Sequence, residues 1–325
     1  MQVSNSKGRN VILASVAVVA VAGLGYAWKN NLLSGGIFDW GSEPVVRIQP
    51  ASEDSLHVEY PSVFKVGDVN AMLYSGYGDD HRWRIKLATA QNDTDYIKQG
   101  NIFDEKLLPF KGAYAFPFVR KNLVNGATAY ELYFSATEDG ASSYSAIYRS
   151  TSTNGLRWEM PKKLLSDSAI DPVVLKHDGR DLILYTSVVD GDNMVKSAEL
   201  KADGSVGPST TVLNPDSGIY TLGVVHVNDK PVLFVETPDS WDAYCLNASN
   251  SLVAASHEPV FVFKENAEKK WDGLKYGMYF FEEADSPTVY YNGIEAHGVE
   301  QGGQIGVANY DVGELTSKLD LSQCQ

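Results

Sequence analysis

From about residue 55 onward, short apolar and aromatic-rich runs alternate with polar turns. No stretch after residue 40 carries the apolar period of an amphipathic helix longer than about two turns. Pro61-Ser62-Val63-Phe64 leads through a turn at Gly67-Asp68 to the run Ala71 to Gly76, and a third run spans Arg84 to Thr89. The same order recurs from Pro117, with runs at Tyr130–Ser135 and Ser145–Ser150, and from Pro172, with runs at Leu182–Thr186 and Met194–Ala198. A fourth copy begins near Gly223, with Pro231–Val235 and Asp242–Leu246. A fifth begins near Gly277, with Thr288–Tyr291 and Gln304–Ala308. The anchors at 61, 117, 172, 223 and 277 lie 56, 55, 51 and 54 residues apart. Five near-equal units of three or four short strands predict an all-β, five-bladed β-propeller over residues 55–325. A pair of sandwiches would not produce five equal units.

The N-terminus breaks this pattern. Val11 to Trp28 is an uncharged apolar run, preceded by Lys7 and Arg9 and followed by Lys29. Its length is at the lower edge of a membrane span, and the basic N-terminal flank orients that end toward the cytoplasm. Residues 1–28 therefore read as a signal anchor. Ala20-Val21-Ala22 before Gly23 offers the alternative of a signal peptide cleaved near Ala22, with secretion. Residues 29–54 read as a linker and lead-in segment. Either reading puts the propeller outside the cytoplasm, membrane-anchored in the first case, with membrane contact through the N-terminal helix only. An oxidising compartment would permit a bond between Cys245 and Cys324, tying the tail to the body; two separate thiols are the alternative.

Composition narrows the partners. The 325 residues carry 27 Lys plus Arg against 41 Asp plus Glu, a net charge of -14, which argues against nucleic acid as a partner. Two cysteines exclude a disulfide-dense scaffold and a four-cysteine zinc site. There is no Gly-x-Ser-x-Gly elbow, no phosphate-cradling loop and no His-Glu-x-x-His, so nucleotide hydrolysis and zinc proteolysis have no support.

Several phrases resemble one superfamily. Tyr74-Ser75-Gly76-Tyr77 followed by Ile85–Ala90 is similar to the opening blade of five-bladed furanosidase-type propellers, as in glycoside hydrolase families 43, 32, 62 and 68. Ser152-Thr153-Asn154-Gly155-Leu156-Arg157-Trp158 resembles their Ser-x-Asp-Gly-x-x-Trp turn, with Asn for Asp at a position that tolerates a left-handed conformation. Asp171-Pro172-Val173-Val174 resembles their Asp-Pro start to an innermost strand, and Tyr290–Gly293 with Ile305–Ala308 resembles a closing blade. The resemblance covers roughly residues 55 to 310. It implies a site at the axis, where a base on blade one, an orienting Asp on blade two and a Glu acid on blade three face a sugar. One carboxylate must ionise while another holds a proton for the leaving oxygen.

The match is imperfect. Glu59 stands two residues before Pro61, where the family has Asp directly before the Pro; blade two offers Ala115-Phe116-Pro117 with no acid; and Asp171 is shorter than the expected Glu. Glu59, Asp171 and Glu295 are the catalytic candidates. His57 is placed to pair with Glu59 or bind a hydroxyl, and Glu236 is a further binding candidate. The Asp79–Arg84 hairpin, with Asp80, His81, Arg82 and Trp83, has the mixture of charge and aromatic face that binds sugars, and so does Trp241; Trp271-Asp272 admits the same reading. Glu282, Glu283 and Asp285 read as a solvated turn, or as oxygens for a structural calcium ion, the only cofactor expected. The expected function is hydrolysis of a glycosidic bond in a poly- or oligosaccharide. The alternative is a non-catalytic glycan-binding or interaction propeller in an envelope or polysaccharide-export assembly, favoured by the acid-free second blade.

Overall fold

The computed structural model describes residues 37–325 apart from 50–51, 125, 140, 142, 190–191, 215–217, 263–270, 285 and 296–301. The expected N-terminal anchor or signal helix lies outside the described residues. Among those described, no helix is long and apolar enough to cross a membrane.

The chain forms five antiparallel sheets arranged as blades. Blade I holds β2 (His57–Val66), β3 (Val69–Tyr77), β4 (Trp83–Ala90) and β5 (Ile97–Asn101). Blade II holds β6 (Tyr114–Val124), β7 (Ala127–Ala136), β8 (Ala146–Ser152) and β9 (Lys162–Ser166). Blade III holds β10 (Ala169–His177), β11 (Arg180–Val189), β12 (Asp192–Leu200) and β13 (Thr210–Leu213). Blade IV holds β14 (Leu222–Val227), β15 (Lys230–Glu236), β16 (Ser240–Leu246) and β17 (Leu252–Ala254), with β18 (Phe261–Val262) also paired to β16. Blade V holds β19 (Leu274–Phe281), β20 (Thr288–Ile294) and β21 (Gln304–Tyr310), and its outermost strand is β1 (Phe38–Trp40). The first strands touch in a closed cycle, β2 to β6 to β10 to β14 to β19 and back to β2, so the ring is complete.

β1 comes from the segment expected to be only linker and lead-in. Phe38 pairs with Tyr310 and Trp40 with Ala308, so the start of the propeller covers the edge of the last blade. This pairing satisfies the edge that β21 would otherwise expose and fastens blade V across the point where the ring closes.

Alternation explains why the middle strands read as unbroken apolar runs. On β3, Ala71 and Leu73 enter the layer shared with blade II, while Met72 and Tyr74 enter the layer shared with blade V. On β11, Leu182 and Leu184 face blade IV and Ile183 and Tyr185 face blade II. Both faces of a blade are interior, so the polar half of the usual two-residue pattern is lost. In the Ser152–Trp158 turn after blade II, Trp158 lies edge-on to Phe64 of blade I at 6.3 Å. The left-handed residue there is Gly155, at φ 70°, while Asn154 accepts the backbone N–H groups of Leu156 and Arg157.

A short helix, α1 (Val312–Ser317), follows β21, and the tail then crosses to blade IV. Cys324 forms a disulfide with Cys245 on β16, at a sequence separation of 79. Lys230 Nζ donates to the carbonyls of Leu321 and Cys324, and Gln325 N–H donates to Leu246 O. Closing a loop of this length restricts the unfolded chain by about 4 kcal/mol on the loop-entropy scale. Cys324→Ser is therefore expected to lower unfolding free energy by about 2–4 kcal/mol. In denaturant titrations, reductant should shift the wild type by the same amount and leave the variant unmoved.

Candidate functional site

The innermost strands share one local irregularity. Register slips between Glu59 and Ser62 in β2, Ala115 and Phe118 in β6, Ile170 and Val173 in β10, and Tyr276 and Tyr279 in β19. Each slip is a bulge whose first extra residue is left-handed: Tyr60 at φ 54°, Phe116 at 57°, Asp171 at 54° and Gly277 at 58°. In three of them that residue precedes a proline, which supplies no ladder N–H. Tyrosine, phenylalanine and aspartate hold the left-handed conformation at a cost of about 1–2 kcal/mol each. Strain repeated at one level of the axis marks the level as built for something.

The bulges turn backbone N–H groups toward the neighbouring blade, where side chains accept them. Phe116 N–H donates to Ser75 Oγ (3.0 Å), Asp171 N–H to Ser135 Oγ (3.0 Å), Gly277 N–H to Glu236 Oε2 (2.8 Å) and Tyr60 N–H to Asn292 Oδ1 (2.8 Å). Between blades III and IV the pattern changes. Leu222 N–H donates to the Asp171 carboxylate, and Thr186 Oγ1, which occupies the acceptor position of that blade, is buried without a hydrogen bond. Five side chains thus close a belt of bonds from blade to blade.

Two belt members are acids with shifted titration. Burial pushes the Asp171 carboxyl up to about 8; the Leu222 N–H opposes this and the charge of Glu236 adds to it. Burial likewise raises Glu236 to about 7, against the hydrogen bonds from Thr221 Oγ1 and Gly277 N–H. No lysine or arginine pairs with either carboxyl among the described residues.

Glu59 is buried and differently partnered. Its Oε1 lies 2.6 Å from His57 Nδ1, and the Gly303 N–H also faces that nitrogen at 3.1 Å. Burial alone would lower the imidazole's pKa, but the Glu59 carboxylate outweighs it and the net shift is upward. The shorter contact is thus read as Nδ1–H donating to a carboxylate. Gly303 must be small: a Cβ there would stand 2.2 Å from Glu59 Oε1 and 2.5 Å from Tyr276 Oη.

Aromatic rings fill the space between these acids. Tyr60 lies 4.4 Å from Phe116, 6.3 Å from Trp83 and 6.4 Å from Tyr276, and Phe116 lies 5.2 Å from Tyr144. The Tyr60 hydroxyl is held well above the usual phenol range by burial and by the charges of Glu59, Glu236 and Asp171. These rings and carboxyls, contributed by all five blades, meet around the axis, the region termed the funnel.

The sequence candidates divide accordingly. His57, Glu59, Asp171 and Glu236 converge on the funnel, and Trp83 packs at its side as a buried ring. Arg82 and Arg84 are committed to Glu105, and Arg84 also to Asp80, so the hairpin's charges bridge blades I and II instead of lining a rim. His81 is exposed and touches Tyr77 Oη at 3.1 Å. Trp241 is fully buried in the core shared by blades IV and V and shows no face to solvent. Glu295 is half-buried after the end of β20, and no described hydrogen bond joins it to the other acids. Glu282 pairs with His226 and Glu283 with Lys121, so the two carboxylates turn to different partners; Asp285 lies outside the described residues. Among the described residues no group of three or more His, Cys, Asp or Glu is arranged to hold a metal. Tyr60, Phe116, Tyr144, Tyr276 and Asn292 were not anticipated. Aligning the repeats on Pro61, Pro117 and Pro172 would have flagged Tyr60 and Phe116 as the counterparts of Asp171.

No known family profile matches the chain, and no curated protein sequence matches it. Solved structures do. The catalytic domain of the Coprinopsis cinerea GH62 α-L-arabinofuranosidase superposes with a TM-score of 0.64 at 11% identity, covering 84% of this chain and 97% of that one. A thermostable family-43 glycoside hydrolase gives 0.62 at 14%, covering 81% and 92%. An N-acetylgalactosamine deacetylase from F. plautii gives 0.62 at 11%, covering 88% and 98%. The chain therefore has the five-bladed fold of the furanosidase-type glycosidase propellers, the class to which its repeats pointed. That fold also carries a deacetylase, so chemistry must be argued from the funnel.

The raised Asp171 value makes a stability prediction. Burial raises the Asp171 carboxyl from its ordinary value of 3.8 to about 8 in the folded chain. The associated stability is complete below the unfolded-state value and is lost as pH rises through the folded one. Asp171→Asn retains an oxygen for Leu222 N–H and does not titrate. Its melting temperature should decline less between pH 5 and pH 8 than that of the wild type.

Proposed function

We propose that the axial funnel binds a carbohydrate and cleaves a glycosidic bond by acid/base catalysis. One observation carries this reading: Asp171, a carboxyl that burial raises to about 8, and Glu59, hydrogen-bonded to His57, flank the same tyrosine, Tyr60, at the axis. Asp171 holds its proton near neutral pH and donates it to the leaving oxygen. Glu59 is the base that activates water, and His57 positions it. Two carboxyl groups in different protonation states are what glycoside hydrolysis requires. The likeness of the fold to arabinofuranosidase and family-43 structures supports a sugar as substrate.

The Cys245–Cys324 disulfide supports a propeller that matures in an oxidising, extracytoplasmic compartment, reached through an N-terminal anchor or signal.

A second reading, glycan binding without turnover, is favoured by Tyr60 and Phe116. They occupy the left-handed positions of blades I and II, where the resemblance expects acids. Rings there offer stacking faces and no proton chemistry near pH 7.

A glycan screen separates the two. Product release and binding are measured in parallel for the wild type, Glu59→Gln and Asp171→Asn. Hydrolysis predicts that either change lowers turnover about 100-fold or more while binding persists. It also predicts that wild-type activity falls as pH rises through about 8, where Asp171 loses its proton. Binding without product in all three proteins would leave the non-catalytic reading.

A further inference from the structure

The funnel's charge inventory is unbalanced. His57 offsets Glu59, but no basic side chain reaches Asp171 or Glu236 among the described residues. Each of the two already spends one oxygen on the belt: Asp171 Oδ2 takes the Leu222 N–H, and Glu236 Oε2 takes the Thr221 hydroxyl and the Gly277 N–H. The other oxygens, Asp171 Oδ1 and Glu236 Oε1, have no described hydrogen bond. Buried carboxyls without a cation are costly to the fold, and a ligand that supplies one recovers that cost on binding.

Polar atoms beside the pair are also unsatisfied. Asn292 is fully buried, and its Oδ1 is fixed by Tyr60 N–H, so its Nδ2 is directed at Gly277, where a Cβ would stand 2.1 Å away. Gly277 is the residue bonded to Glu236, and this amide nitrogen has no described acceptor. Thr186 Oγ1 beside Asp171 and Tyr144 Oη near Phe116 also lack partners. The rings of Tyr60, Phe116, Tyr144 and Tyr276 complete the enclosure, and aromatic faces attract a cation.

We infer that the funnel selects sugars carrying a free, protonated amine, with the ammonium group held at the Asp171–Glu236 pair against the Tyr60 and Phe116 rings. This inference rests on the funnel being a carbohydrate site, as proposed above. Burial raises Glu236 less than Asp171, and Glu236 supplies the charge that meets the ammonium. Uronates and sulfated sugars are excluded, because their anions would face two carboxyls without a basic partner.

The test is calorimetric titration at pH 7 of the full chain with three oligosaccharide series: glucosamine oligomers, their N-acetylated counterparts and oligogalacturonates. Glucosamine oligomers should bind roughly tenfold tighter than the N-acetylated ones, the scale of one charge-assisted contact. Oligogalacturonates should bind worst. Glu236→Gln, checked by thermal melting, should remove the difference in affinity between the glucosamine and N-acetylated series. Comparable binding of amine and N-acetyl forms, or tighter binding of the uronates, would overturn the inference while leaving the carbohydrate site standing. If no series binds here and no glycan binds in the broader screen, the carbohydrate reading fails and this inference fails with it.

Discussion

Five backbone amides at the axis must find acceptors where neither water nor a strand ladder can supply them. That constraint organises this propeller. The bulges that begin β2, β6, β10 and β19 aim an N–H across the gap to the next blade, and β14 does the same through Leu222. Each is met by one buried side chain: Ser75, Ser135, Asp171, Glu236 or Asn292. A buried amide left unbonded costs about 1–3 kcal/mol, so the belt is a condition for closing the ring. Apolar layers fill the space between blades, but they are not directional and would tolerate a rotation that the belt does not.

The belt also explains the electrostatics of the funnel. Serine and asparagine satisfy three of its amides without charge, whereas Asp171 and Glu236 satisfy the other two as acids. The burial that makes them good belt members raises their titration, Asp171 to about 8 and Glu236 to about 7. Architecture and chemistry are thus coupled through the same atoms. One oxygen of each carboxyl holds two blades together, and the other has no described hydrogen bond. Glu59 stands apart because its charge is matched by His57 and not by the belt. Two of the three acids at the axis are thus raised by burial, while the third is hydrogen-bonded to a histidine.

Away from the axis, closure is reinforced twice at the perimeter. β1 covers the edge of blade V with residues that precede blade I in sequence, and the Cys245–Cys324 bond carries the tail past blade V to blade IV. Both act where a ring of blades is weakest, between its first and last elements. Neither touches the funnel, so the axial residues are free to depart from the acids that the family resemblance implies.

Much of this was legible in the chain itself. The five anchors at spacings of 51 to 56 residues, the alternation of short apolar runs and turns, and the Asp171-Pro172 step fixed the blade count and one funnel acid. They did so because strand period and turn chemistry are local properties. Pairing His57 with Glu59 was also local, since two residues along a strand return to the same face. What the chain could not disclose depended on residues far apart in sequence. That Arg82 and Arg84 are spent on Glu105, that Trp241 is core, and that Asn292 reaches across to Tyr60 are consequences of blades meeting. The same holds for the titration of Asp171, which is set by burial and by Glu236, 65 residues away in sequence. Sequence determined the repeating unit; only closing the ring decided which polar groups were buried, which were paired, and which were left facing the axis without a partner.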